Sequence, residues 1–82
     1  LSCRGSGFNF GAYDVLWYRH SPGGRLEWVS YMSYDSSVIK FGQSVDGRAA
    51  VTKDNSRSES SLSLRALTPR DSARYFCAVR MG

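Results

Sequence analysis

The stretch Asp71-Ser72-Ala73-Arg74-Tyr75-Phe76-Cys77 decides the fold of this 82-residue chain. Side chains alternate between the two faces of a β-strand, so Cys77 places Tyr75 on the inward face and leaves Phe76 outward. The other cysteine is Cys3, and each cysteine lies in a short apolar run that is typical of a strand. A disulfide joining the two would enclose most of the chain and, in the loop-entropy account, contribute about 4–5 kcal/mol.

The cysteines do not match a metal site or a redox site. Two cysteines and the single histidine, His20, cannot supply the four ligands of a structural zinc site, and neither cysteine belongs to a Cys-x-x-Cys redox motif. We therefore expect no metal and no cofactor. A disulfide would imply an oxidising, extracellular compartment.

The composition is that of one small globular domain. An apolar fraction of 41% with 13% aromatic residues is too hydrophobic for a disordered tail, and no apolar run approaches the roughly 20 residues of a membrane span. The net charge of +4 comes mostly from arginines that are scattered along the chain, several of them close to acids in sequence. Scattered charge of this kind indicates a solvated or paired surface, so we expect neither nucleic acid as a partner nor direct membrane contact.

Glycine, proline and serine divide the chain into short runs of alternating polarity, which predicts an all-β sandwich of two packed sheets. The predicted strands are residues 1–5, 15–20, 26–32, 39–41, 49–53, 60–67 and 73–79. One helical turn is predicted at residues 68–72, with Thr68 as its cap and Pro69 at its first position.

Alternation also assigns faces to the second predicted strand. Val15, Trp17 and Arg19 point one way, and Leu16, Tyr18 and His20 point the other. Both sets carry apolar residues, so we expect this strand to be covered on both faces. Together with outward Phe76, the side chains of Leu26 and Trp28 are candidates for an exposed apolar patch. A patch of this kind usually marks a surface that binds a partner.

Cys3, Trp17 fourteen residues later, and Tyr75 two residues before Cys77 together resemble the hallmarks of an immunoglobulin domain. Three further segments resemble an antibody heavy-chain variable domain specifically: residues 26–30, 44–48 and 53–56. The resemblance covers essentially all of residues 1–82 and implies a variable-type sandwich with one inter-sheet disulfide, Cys3–Cys77. The family's first strand, most of its third hypervariable loop and its final strand are missing, so we expect a partial variable domain.

The resemblance implies antigen binding rather than catalysis. The first hypervariable loop would span about Phe8 to Leu16, the second Tyr31 to about Lys40, and the third would begin near Arg80. The implied contact residues are Ala12, Tyr13 and Asp14 at the tip of the first loop, then Tyr31, Ser33, Tyr34, Asp35, Ser36, Ser37, Val38 and Arg80. A loop set rich in tyrosine and serine suits a protein or glycoprotein antigen.

The resemblance also implies an immunoglobulin light chain as partner. The positions that would face it are Tyr18, His20, Arg25, Leu26, Trp28 and Phe76. Retained Leu26 and Trp28 favour pairing over a single-domain antibody, whereas Tyr18, Arg25 and His20 make this distinction less clear. His20 stands where the family usually has a glutamine that hydrogen-bonds its light-chain counterpart.

Further residues match the resembled family, or differ from it, at positions with a structural role. Arg48 and Asp71 match an ion pair of the family, which Arg19 and Glu27 are expected to join, and Trp17 and Tyr75 are assigned structural roles. Ala49 and Ser60 stand where the family usually has phenylalanine and leucine, changes that would each cost roughly 2–5 kcal/mol if uncompensated. Such drift is typical of extensive somatic mutation and makes a viral surface glycoprotein one candidate antigen.

Alternatives stay open within the fold. A T-cell receptor variable domain would suit residues 17–19 and 71–80, and an adhesion module of the immunoglobulin type is a further possibility. An enzyme is not expected, because His20 stands beside a turn and no Gly-x-Ser-x-Gly elbow is present. The predicted location is secreted or on the B-cell surface.

Overall fold

The computed structural model describes residues 1–6 and 9–81. Its strands are β1 (Ser2–Arg4), β2 (Tyr13–His20), β3 (Leu26–Met32), β4 (Ile39–Phe41), β5 (Ala49–Asp54), β6 (Glu59–Leu64) and β7 (Arg74–Met81), with single 3₁₀ turns at Phe10–Ala12 and Pro69–Asp71. The strands form two antiparallel sheets, ordered β1-β6-β5 and β4-β3-β2-β7. The predicted all-β sandwich is therefore confirmed.

Three strand ends differ from the predicted bounds by two residues or more, and the other differences are of one residue. β2 begins at Tyr13 rather than at residue 15, and β7 continues to Met81 rather than ending at residue 79. β6 ends at Leu64 rather than at residue 67, because Ala66 has a φ of 53° and cannot continue an extended strand. The helical turn predicted after it is confirmed: the backbone N–H of Thr68 donates to Asp71 Oδ2 at 2.9 Å.

The core lies between the sheets. Its buried members are Phe10, Val15, Trp17, Val29, Met32, Val45, Val51 and Leu62. The Cys3–Cys77 disulfide joins β1 to β7 across this core, with the two Cα atoms 6.4 Å apart. The predicted disulfide, with Trp17 buried at 2% exposure, is thus confirmed.

The departure at Ser60 is compensated by hydrogen bonds. Ser60 is fully buried, accepts a hydrogen bond from Trp17 Nε1 at 3.3 Å, and donates to the carbonyl oxygen of Thr52 at 2.9 Å. A buried hydroxyl with two partners avoids the desolvation penalty of an unpaired polar group. Ser60 therefore fixes the Trp17 indole by a polar contact, in place of the apolar packing that the resemblance implied at this position.

The two side-chain sets of β2 lie on opposite faces of the four-stranded sheet, and the outward set is only partly covered. Trp17 and Arg19 are buried on the inward side of β2, while His20 is exposed on the outward side. A bulge interrupts the pairing with β3: Trp17 pairs with Ser30, but Tyr18 pairs with Trp28. Val29 and Ser30 of β3 are therefore both buried on the inward side, and Trp28 remains on the outer face.

Candidate binding surfaces

A cluster of paired charges closes one end of the sandwich. Its centre is Asp71, whose carboxylate accepts from Arg19 Nη1 at 2.9 Å and from Arg48 at 2.9 and 3.0 Å. The Arg48 guanidinium, with help from the backbone N–H of Thr68, holds the pKa of Asp71 well below its usual range. The predicted Arg48–Asp71 pair is confirmed. We call the set Arg19, Glu27, Arg48, Asp71 and Tyr75 the base cluster.

Arg19 extends the base cluster into a network. Its Nε donates to Glu27 Oε1 at 2.6 Å, and its Nη1 also donates to the hydroxyl of Tyr75 at 3.1 Å. Burial lowers the pKa of Arg19, but the hydrogen bonds to Tyr75, Glu27 and Asp71 outweigh it and raise the pKa overall. The Tyr75 hydroxyl in turn donates to the backbone oxygen of Asp71 at 2.8 Å. These groups bind one another, which fits the structural role predicted for them.

A second buried carboxylate lies at the opposite end of β2. Asp14 is 4% exposed and accepts hydrogen bonds from the Tyr31 hydroxyl at 3.1 Å, the Tyr34 backbone N–H at 2.8 Å and Arg80 Nη2 at 3.2 Å. We call the surface around it, made of Tyr31, Tyr34, Asp35, Val38 and Arg80, the loop end.

Several residues that the sequence assigned to hypervariable loops lie in strands or turns of the structure. Tyr13 and Asp14 belong to β2 instead of the tip of a loop, Ala12 ends a 3₁₀ turn, and Arg80 lies within β7. Asp14 and Ser33, both among the predicted antigen contacts, are buried and form hydrogen bonds within the domain. Phe8, the predicted start of the first loop, lies outside the described residues.

The second loop is narrower than predicted, because Tyr31 lies in β3 and Lys40 in β4. Between these strands, Asp35 organises the turn by accepting from the Ser37 hydroxyl at 2.6 Å, the Ser37 N–H at 3.0 Å and the Ser33 hydroxyl at 2.8 Å. Hydrogen bonds from Ser37 and then Ser33 lower the pKa of Asp35 to about 2. The turn therefore carries a fixed negative charge.

Lys53, on β5 of the other sheet, joins the two loop regions. Its ammonium donates to the backbone oxygens of Tyr13 at 2.9 Å and Tyr34 at 2.8 Å, and it lies 5.4 Å from the centre of the Phe10 ring. Burial lowers its pKa. Sequence reasoning missed this residue. The available signal was a lysine in phase with Val51, on the inward face of a predicted strand.

Arg80 is an exposed charge that the loop end holds in place. Its side chain is 64% exposed, although it pairs with Asp14 and lies over the ring of Tyr31 at 5.7 Å from the centre. Hydrogen bonds with Asp14 and then Tyr31 raise its pKa. A guanidinium held in this way keeps free N–H edges toward solvent, where a ligand can accept hydrogen bonds from them.

The outer face of the four-stranded sheet carries an apolar surface. Tyr18 pairs in register with Trp28 on one side and Phe76 on the other, and the Tyr18 and Phe76 rings stack at 5.8 Å. Leu26, Trp28 and Phe76 are 59%, 37% and 39% exposed, which confirms the predicted patch. Trp28 Nε1 donates to the Ser30 carbonyl at 3.0 Å, so the indole is hydrogen-bonded to its own strand. We call Tyr18, His20, Leu26, Trp28 and Phe76 the pairing face.

One corner of the pairing face is concave. His20, Leu26, Arg74 and Phe76 line a shallow pocket of about 510 Å³. His20 lies in register between Leu26 on β3 and Arg74 on β7, which places an imidazole and a guanidinium beside exposed apolar carbon. Arg25 directly precedes Leu26 and is also exposed.

Comparison with known families agrees with this architecture. The immunoglobulin V-set domain model matches residues 1–82. Among residues 1–6 and 9–81, no helix is long and apolar enough to cross a membrane. Within the same part of the chain, no group of three histidine, cysteine or acidic side chains could hold a metal ion.

Proposed function

The chain belongs to the immunoglobulin V-set family, and we propose that it is an antibody heavy-chain variable domain that pairs with a light chain and binds antigen. Domains of this family are typically extracellular or secreted, non-enzymatic modules that bind other immunoglobulin domains or antigens. The heavy-chain assignment follows the resemblance of residues 26–30, 44–48 and 53–56. The secreted or B-cell-surface location belongs to the same proposal.

The pairing face is the observation that carries the proposal. Leu26, Trp28 and Phe76 are exposed apolar side chains that are contiguous through strand register. Clustered aromatic and leucine side chains of this kind are typical of the core of a protein–protein interface. A second sheet of matching shape would remove them from water, and the light-chain variable domain is the occupant that the heavy-chain resemblance implies.

Pairing is tested by co-expressing the chain with a panel of light chains and measuring complex mass by size exclusion. A Leu26→Asp variant should lose the one-to-one heterodimer, because a charge would be buried at the centre of the contact. Leu67→Asp is the matched control, since Leu67 is similarly exposed at 69% but lies away from the pairing face. A heterodimer that survives Leu26→Asp would contradict the proposal.

Antigen binding is proposed for the loop end. Tyr34, Asp35, Val38 and Arg80 are exposed there, and they rest on buried partners. Asp14 fixes Arg80 and the backbone of Tyr34, while Lys53 binds the same backbone segment from the other sheet. A surface held before binding loses less conformational entropy on contact, which favours affinity.

The antigen side is tested by screening the heavy–light pair against protein and glycoprotein antigens, viral surface glycoproteins among them. Once an antigen is found, Arg80→Ala and Tyr34→Ala should each weaken binding by about tenfold or more, as central arginine and tyrosine contacts do. Arg70→Ala is the control, because Arg70 is an exposed arginine beside the base cluster. Equal affinities for all three variants would contradict the assignment of the loop end.

One observation favours a second candidate, a single-domain antibody. Tyr18 stacks on Phe76 and the Trp28 indole bonds back to its own strand, so the pairing face covers part of its own apolar surface. A chain that stays monomeric with every light chain, yet binds antigen, would support this candidate. A T-cell receptor variable domain would instead bind a peptide-presenting complex, and an adhesion module would bind a fixed ligand.

A further inference from the structure

Two basic side chains meet at one corner of the pairing face. Strand register puts His20 between Leu26 and Arg74. We call His20 and Arg74 the basic corner. Both side chains line the pocket of about 510 Å³ described above.

Arg74 has no acidic partner within ion-pair distance among residues 1–6 and 9–81. The arginines that form ion pairs in this part of the chain are Arg4, Arg19, Arg48, Arg57 and Arg80. Arg25 differs from Arg74, because it lies near Glu27, whose pKa is lowered by hydrogen bonds from Arg19 and Ser44 and also by the charge of Arg25. The corner therefore keeps the uncompensated charge of Arg74 beside exposed leucine and phenylalanine.

Docking a partner over the corner would remove the Arg74 guanidinium from water. A neutral partner surface would leave this charge without compensation, whereas a carboxylate would replace its lost interactions with water by charge-assisted hydrogen bonds. We propose that the light chain preferred by this domain presents an aspartate or glutamate to the basic corner, so that charge selects among partners. The inference rests on the proposed pairing.

The test uses two versions of one light-chain variable domain that differ only in glutamine or glutamate at the pairing-face position opposite His20. The glutamate version should bind about two- to fivefold more tightly, chiefly through faster association, as rim charges act. The advantage should shrink between about 0.05 and 0.5 M salt, since surface charges are screened over that range.

Charge reversal supplies matched controls. Arg74→Glu should reverse the preference toward the glutamine version, and the neutral Arg74→Gln should reduce it without reversal. Arg57→Glu makes the same change of net charge in the turn between β5 and β6, on the other sheet, and should leave the preference intact. Equal binding of both light-chain versions by the unmodified domain would overturn the inference and leave pairing in place. Binding of neither version would overturn pairing and the inference together.

Discussion

The base cluster and the loop end each contain one buried aspartate, Asp71 and Asp14. Both aspartates pair with arginine, but the arginines differ in how far they are exposed to solvent. Each carboxylate is almost fully buried, and each pairs with arginine. The side chains of Arg19 and Arg48 are only 4% and 26% exposed, whereas that of Arg80 is 64% exposed. The same ion pair therefore stabilises the fold at one end and presents a cation to solvent at the other.

The difference lies in what happens when the carboxylate is lost. At the base cluster, the buried guanidinium of Arg19 would keep its bonds to Glu27 and Tyr75 but lose one of the two carboxylates that compensate its charge. At the loop end, Arg80 can turn into water. The cost of breaking an ion pair depends on whether the surviving partner can be resolvated.

The largest expected effect is at the base cluster. Asp71→Asn should lower the free energy of unfolding by about 3 kcal/mol, because it leaves two arginines without their shared anion. Denaturant unfolding monitored by tryptophan fluorescence measures the change. Asp46→Asn, an exposed site, is the control and should change the stability little. A loss at Asp71 no larger than that control would show that the base cluster does not stabilise the fold.

Acid should reproduce part of that effect without a mutation. The pKa of Asp71 is lowered in the folded state, so its contribution is fully present above the unfolded carboxyl pKa of about 4 and is lost as pH falls toward the folded value. Glu27, whose pKa is lowered by Arg19 and Ser44, adds to the same slope. Unfolding free energies measured from about pH 5 downward should fall more steeply for the unmodified domain than for Asp71→Asn. Parallel curves would contradict this account.

A smaller loss is expected at the loop end. Asp14→Asn should cost about 1 kcal/mol, because the amide oxygen can still accept from the backbone of Tyr34 and Arg80 can reach water. The same variant should weaken antigen binding, since Arg80 and Tyr31 lose their common acceptor. Stability and affinity are measured on one preparation. A destabilisation as large as that of Asp71→Asn would erase the distinction between the two ends.

The smallest expected effect is a gain in stability, at a buried polar group that has no partner in the part of the chain that the structure describes. The hydroxyl of Ser30 is buried with no hydrogen-bond partner among the described residues. Ser30→Ala should therefore raise the free energy of unfolding, by less than about 1 kcal/mol, because it removes an uncompensated polar group. Ser60→Ala is the matched control and should be destabilising, since it deprives Trp17 of its acceptor. Destabilisation by Ser30→Ala would contradict the prediction.

The fold and the base cluster could be predicted because their determinants are periodic or tied to motif positions. Cys77 sets the phase of β7, Trp17 and Arg19 share the inward phase of β2, and Pro69 marks the turn that carries Asp71. Each is a local pattern that strand geometry converts directly into a face or a position. The outward patch followed from the same alternation.

The loop end could not be predicted in the same way, because its geometry depends on contacts between distant segments. Asp14 is on the outward phase of β2 and would be exposed if Tyr31 and Arg80 did not cover it. Lys53 reaches Tyr13 and Tyr34 from the other sheet, and a periodic sequence pattern does not predict this contact. Burial by a neighbouring side chain is a tertiary effect that overrides the local pattern.

The disulfide has a mechanical consequence. Cys3 and Cys77 are 74 positions apart in sequence, yet their Cα atoms are 6.4 Å apart. Tension applied to the chain outside this pair would pass through the one covalent bridge, and the strands between would carry none of it. While oxidised, the domain would act as an inextensible link. Reduction would free roughly 250 Å of chain length, at about 3.4 Å per residue, so the domain could then extend under tension as it unfolds.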